Sequence, residues 1–130
     1  MPTVTAAYKG DVLFELTAGN HTFPVDLPSA SGGKDRAVTP TALYACSLSA
    51  CIGALVYLYC RDMKIDSEGL TVEVTYDRLE KPSRLGNFRA KIKLPKGGWE
   101  NRKGGILRAA ERCPVHETIL NHQGIEITVE

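Results

Sequence analysis

Apolar and polar positions alternate over the first part of the chain. Met1 to Tyr8 and Val12 to Ala18 both carry alternating or β-branched patterns, and Lys9-Gly10-Asp11 between them has the composition of a hairpin turn. His21 to Asp26 reads as a third short strand, with Pro24 confining it to a sheet edge or a strand end. The simplest arrangement is a three-stranded meander. Leu27 to Val38 is then a polar loop, punctuated by Gly32-Gly33, that suits a surface crossing.

The pattern changes at Thr39. From there to Met63 the sequence is T-P-T-A-L-Y-A-C-S-L-S-A-C-I-G-A-L-V-Y-L-Y-C-R-D-M, and no residue between Arg36 and Arg61 carries a charge. A soluble chain tolerates such a segment when nearly every side is enclosed, so the stretch predicts a buried central helix. Thr39 supplies an N-cap hydroxyl, Pro40 fits the first turn, and Arg61, Asp62 and Lys64 mark the return to solvent. A membrane span is the rival reading, because the run approaches the roughly 20 residues required. Pro40, Ser47, Ser49, the many small residues and the lack of a second apolar segment or aromatic belt argue against it.

Beyond Gly69, alternation returns. Leu70 to Arg78 sets Val72, Val74 and Tyr76 against Thr71, Glu73 and Thr75, and Phe88 to Leu94 sets Phe88, Ala90, Ile92 and Leu94 against Arg89, Lys91 and Lys93. Lys81 to Asn87 joins the two as a hairpin. Ile106, Ala109, Ala110 and Cys113 then follow helical spacing on one apolar face, Pro114 interrupts, Val115 to Leu120 continues as a short helical turn, and Ile125 to Val129 reads as a closing strand. The predicted order is β-β-β-α-β-β-α-α-β: an α+β fold with antiparallel sheets packed on the long central helix, forming a single domain over residues 1–130. No repeat, low-complexity tract or linker interrupts it.

Composition narrows the functional classes. The 130 residues carry 16 Lys plus Arg against 15 Asp plus Glu, so no global field favours nucleic acid or an anionic membrane. Four cysteines, three of them on one apolar helix, do not read as a disulfide framework. A reducing cytoplasm is the expected setting. The start of the chain lacks the basic region and apolar run of a secretion signal.

Helical geometry limits what Cys46, Cys51 and Cys60 can do. At about 100° and 1.5 Å per residue, Cys46 and Cys51 point about 140° apart, Cys51 and Cys60 point to opposite sides, and Cys46 and Cys60 are separated by about 21 Å along the axis. A disulfide needs Cα atoms within about 7 Å, so none of these can pair within a straight helix. Cys113 is the remaining thiol. It precedes Pro114, which suits a first helical position, and its sulfur is expected near an N-cap, where unpaired N–H groups and the helix dipole ease thiolate formation. Cys51, in apolar company, is expected to need a cation or hydrogen-bond donors before it reacts. Buried cysteine is also a small hydrophobe in its own right. Metal binding by Cys113 and His116 offers two ligands only, with no C-x-x-C in the chain.

The segments S-G-G-K-D-R-A-V-T-P-T-A-L-Y-A-C-S-L-S-A-C and, much later, A-A-E-R-C-P-V-H-E-T-I make the chain similar to the OsmC/Ohr superfamily of osmotically inducible and organic-hydroperoxide-resistance proteins. The resemblance extends from the glycine-containing loop to the last strand. It implies an intertwined homodimer with active sites between subunits and no metal, haem or flavin. It also implies a thiol peroxidase acting on organic hydroperoxides, in which Cys51 is the peroxidatic cysteine and passes through a sulfenic acid. Cys113 would be the resolving cysteine, and an external dithiol would reduce the disulfide. One position departs from the family pattern. Hydroperoxide-resistance members carry a glutamate just after the proline that opens the helix, holding an arginine against the reactive sulfur, where this chain has Thr41. Arg36 is the candidate activating arginine if its loop folds over the helix start; otherwise it is a solvated loop residue.

Two further readings compete. The first is a non-enzymatic member of the same fold, a redox-sensing or small-ligand-binding dimer, favoured by Thr41. The second is a cysteine hydrolase with Cys113 as nucleophile and His116 as base. Glu111 is expected to face water with Arg108 and Arg112, His21 and His122 sit in turn-like contexts with nothing converging on them in sequence, and Cys46 and Cys60 are expected to be packing residues.

Overall fold

A computed structural model describes all residues, Met1–Glu130. Internal packing divides the chain into two compact units, Met1–Tyr44 and Ala45–Glu130. The first contains β1 (Val4–Tyr8), β2 (Phe14–Ala18) and β3 (His21–Val25), joined as the predicted antiparallel meander. Tyr8 faces Phe14 across the first hairpin and Glu15 faces Pro24 across the second. β3 is a sheet edge, which is where a proline without an N–H is tolerated. Gly10 and Asp11 take positive φ in the β1–β2 turn, a conformation open to glycine and accessible to aspartate. A short 3-10 turn, Ser29–Ser31, occupies the loop that follows β3.

Helix α1 (Pro40–Asp62) starts in the first unit and runs through the second. Thr39 caps it: its Oγ1 accepts the N–H of Ala42 at 3.2 Å. In the second unit the helix is followed by β4 (Thr71–Leu79) and β5 (Arg84–Lys93), then by α2 (Lys103–Glu111) and α3 (Pro114–Leu120). β4 and β5 pair antiparallel, and the register places Glu73 opposite Lys91. Such opposite charges on one face neutralise each other locally. β5 begins earlier than the alternation suggested, because Arg84, Leu85 and Gly86 already pair with Leu79, Arg78 and Asp77.

The core of this unit gathers around one stripe of α1. Leu48, Ile52, Val56 and Cys60 are buried with Ile65, Leu94, Ile106, Ala110 and Cys113, and Val72, Val74 and Ile92 of the hairpin pack against them. Spacings of four residues on a 3.6-residue period keep such positions on one slowly drifting stripe. α1 is long and apolar enough to cross a membrane. Its buried stripe identifies it as a core helix of an α+β fold.

Two expectations are corrected. The helix is not enclosed on every side within one chain: Tyr44, Tyr57 and Leu58 are exposed, because the sheet and short helices of its own unit cover a single stripe. The closing strand at 125–129 does not form, and Ile125, Ile127 and Val129 stand in solvent. Alternation supplies a strand's pattern, yet a strand also needs an edge to pair with, and nothing pairs with these residues here.

Candidate functional site

Cys51 and Cys113 come together in the core of the second unit. Cys51 projects from the middle of α1, half-buried, and packs against the cluster that contains Cys113. Cys113 is fully buried in that cluster. Both are free thiols.

Cys113 is held by the start of the next helix. Its residue is the N-cap of α3, Pro114 follows as the first helical position, and the sulfur accepts the backbone N–H of His116 at 3.4 Å. The sequence predicted this cap. It also predicted an easily formed thiolate, and that is corrected: burial pushes the Cys113 thiol up, the neighbouring Cys51 adds to the rise, and the N–H groups of His116 and Val115 offset only part of it. Desolvation outweighs the helix terminus because the sulfur has no access to water. The expected helical face ending at Cys113 is also corrected. α2 stops at Glu111, and Arg112 forms its C-cap.

The other candidates disperse. His116 donates Nδ1–H to the carbonyl of Glu111 at 3.1 Å, so this nitrogen is not offered to Cys113 as a base. Cys60 is fully buried, and burial raises its pKa. Cys46 is exposed, against the expectation of a packing residue, since it lies off the buried stripe of α1.

Arg36 stays exposed on its loop, as one of the two sequence readings expected, but its side chain is paired. In the first unit its Nε donates to Oδ2 of Asp26 at 2.7 Å, and Nη2 lies 3.8 Å from Asp11. Asp26 is completely buried, a position missed in the sequence because its acid reads as the polar end of a strand. The signal available was an aspartate beside apolar Val25 and Leu27, a short step before a glycine pair. Thr41 contributes a neutral hydroxyl, 3.4 Å from that of Thr39.

A family model described as OsmC-like protein matches residues 32–130, a span that includes α1 and both cysteines. The chain belongs to the OsmC-like family. This OsmC-like chain is 29% identical to a Psychrobacter arcticus 273-4 protein described as an osmotic stress induced and detoxification response protein, with a TM-score of 0.82 over 91% of this chain and 88% of that one. Two organic hydroperoxide resistance proteins share the fold. One, described as OsmC, from Legionella pneumophila, is 22% identical, with a TM-score of 0.67 and coverage of 92% and 88%. The other, OhrB of Bacillus subtilis, is 20% identical, with a TM-score of 0.64 and coverage of 94% and 92%. No curated protein matches the OsmC-like chain.

Proposed function

We propose that the chain is a two-cysteine thiol peroxidase that reduces organic hydroperoxides to alcohols. The observation that carries this reading is the placement of the Cys113 sulfur beside Cys51 in one apolar core. Cys51 is the peroxidatic residue. Its thiolate attacks the terminal oxygen of ROOH, the O–O bond breaks, and the alkoxide takes a proton and leaves as ROH while sulfur becomes a sulfenic acid. Cys113 then attacks that sulfur; the S–O bond breaks, the hydroxide leaves with the thiol proton as water, and a Cys51–Cys113 disulfide remains for an external dithiol to reduce.

The raised Cys113 pKa suits a resolving role. A protonated Cys113 places no second negative charge beside the Cys51 thiolate. Apolar walls around the pair suit an alkyl hydroperoxide better than hydrogen peroxide. The exposed apolar face of α1, with Tyr57 and Leu58, supports a homodimer in which a second copy covers what its own unit leaves open. The working environment is a reducing cytoplasm.

The experiment is intact-mass and free-thiol analysis of the reduced protein after one equivalent of cumene hydroperoxide, in parallel with hydrogen peroxide. Rapid loss of two thiols, abolished in Cys51→Ser and halted at a sulfenic acid in Cys113→Ser, is expected. Thiols that react no faster than free cysteine would remove the peroxidase reading. Thr41 in place of the family's glutamate favours a second reading, a redox-sensing or ligand-binding dimer that keeps both thiols. That reading expects a slow, stoichiometric disulfide without turnover when dithiol is supplied.

A further inference from the structure

Helix α3 hangs from one residue. It has seven residues, Pro114–Leu120, none of them buried, and only Val115 and Ile119 lean against the core. Helices this short are marginal in water unless caps or packing hold them. Residues 122–130 beyond it form no helix or strand that could hold it from the far end. Its start is therefore decisive. Pro114 has no N–H, the N–H of His116 donates to Cys113 Sγ at 3.4 Å, and that of Glu117 donates to Cys113 O at 3.0 Å. Two further ties of this turn run over the surface, from Thr118 Oγ1 to Pro114 O at 2.8 Å and from the His116 ring to Glu111 O at 3.1 Å. Cys113 is the fully buried point of attachment.

The Cys113 sulfur has two roles that exclude each other. As a thiol it accepts the His116 N–H. In the proposed cycle it attacks the Cys51 sulfenic acid, the S–O bond breaks, water leaves, and the sulfur ends bonded to Cys51. A disulfide requires a Cβ–S–S–Cβ dihedral near about 90°, so the direction of the sulfur is then set by Cys51 and not by the cap. Thiol sulfur is already a weak acceptor, and a sulfur committed to a second covalent bond and turned from the N–H is a weaker one.

We propose that α3 is a gate operated by the redox state of the thiol pair. Forming the Cys51–Cys113 disulfide removes the cap, the first turn of α3 opens, and the otherwise sealed Cys113 sulfur becomes reachable by an external dithiol. One thiolate of that dithiol attacks a sulfur and breaks the S–S bond, its second thiol displaces the mixed disulfide, and both cysteines return as thiols. Cys113 then regains the His116 N–H and the gate closes. In the reduced state the same helix keeps solvent from a thiol that has no exposed surface. The gate deepens the two-cysteine reading and rests on its disulfide.

The test compares amide hydrogen exchange by NMR in the reduced protein and in protein oxidised with diamide, which couples two nearby thiols without any peroxidase step. A Cys46→Ser background removes the exposed thiol that would cross-link copies. On oxidation the His116, Glu117 and Thr118 amides should exchange about fivefold faster or more, while those of Ile52 and Val56 should not. In Cys113→Ser, which keeps a capping oxygen and forms no disulfide, diamide should change none of them. Unchanged exchange in α3 with the Cys51–Cys113 disulfide confirmed by mass overturns the gate and leaves the peroxidase reading standing. Opening with diamide, together with no disulfide from cumene hydroperoxide, keeps the gate and removes the peroxidase. No disulfide with either oxidant overturns both. The access step has its own readout: Glu117→Gly loosens α3 at an exposed position, and dithiothreitol should reduce the oxidised variant about fivefold faster than the oxidised parent. Equal reduction rates, with faster α3 exchange verified in the variant, overturn the gate.

Discussion

The sulfur of Cys113 accepts the backbone N–H of His116 across the first turn of α3, so the residue assigned to resolve the sulfenic acid is also the cap of a helix. A serine hydroxyl performs the same capping, whereas alanine leaves the N–H without a partner. Cys113→Ala should therefore melt below Cys113→Ser, with a difference of about 1 kcal/mol in stability, measurable by denaturant titration of the two reduced proteins. Equal midpoints would show that the cap contributes nothing.

Thiolate formation at Cys113 should require alkali. Burial and the Cys51 thiol both raise its pKa, so its ultraviolet thiolate signal is expected to grow above the ordinary thiol range. Removing the second cause in Cys51→Ala should bring the titration down, though not to the free-thiol value, because burial persists. A titration that moves up in that variant contradicts the contact.

Acid should loosen the β3–α1 loop. Arg36 and three backbone N–H groups hold the Asp26 carboxyl far below the usual carboxylate range. A group with a depressed folded pKa stabilises the protein fully above its unfolded value, about 3.9, and that contribution fades as pH falls below it. Thermal melts from neutral pH to pH ~2 should thus show a steeper acid decline in wild type than in Asp26→Asn. Parallel declines would exclude Asp26 as a source.

Gly105 of α2 lies against the ring of Tyr59 on α1, and a Cβ there would overlap the ring and its hydroxyl. Gly105→Ala should push α2 outward, destabilise the protein by about 1–3 kcal/mol and slow disulfide formation, since α2 leads directly to Cys113. Tyr59→Ala combined with Gly105→Ala should recover part of the loss that Gly105→Ala causes in the Tyr59 background, a coupling that a double-mutant cycle detects.

Much of this architecture was legible because its causes are local. Alternation located the strands of both sheets, Thr39-Pro40 located the start of α1, and Cys113-Pro114 located a cap. What escaped depended on distant groups. Asp26 looks like any polar residue at a strand end until the N–H groups of residues 34 and 36 arrive on it. The apolar run of α1 implied enclosure, but one chain encloses one stripe. Ile125, Ile127 and Val129 carry a strand's alternation without an edge to join. The Cys113 pKa turned on burial, and residue spacing could supply only the helix terminus that opposes it.

The two thiols of the proposed cycle sit far apart in the chain and side by side in the core. Joining them would close a loop of roughly 60 residues and restrict the unfolded chain by roughly 4 kcal/mol. Each turnover would then alternate between an open polymer and a stapled one, and the oxidised intermediate would be the harder of the two to unfold. Reductant supply would set how long the molecule stays stapled, so its lifetime against heat or protease would record the redox state of its surroundings.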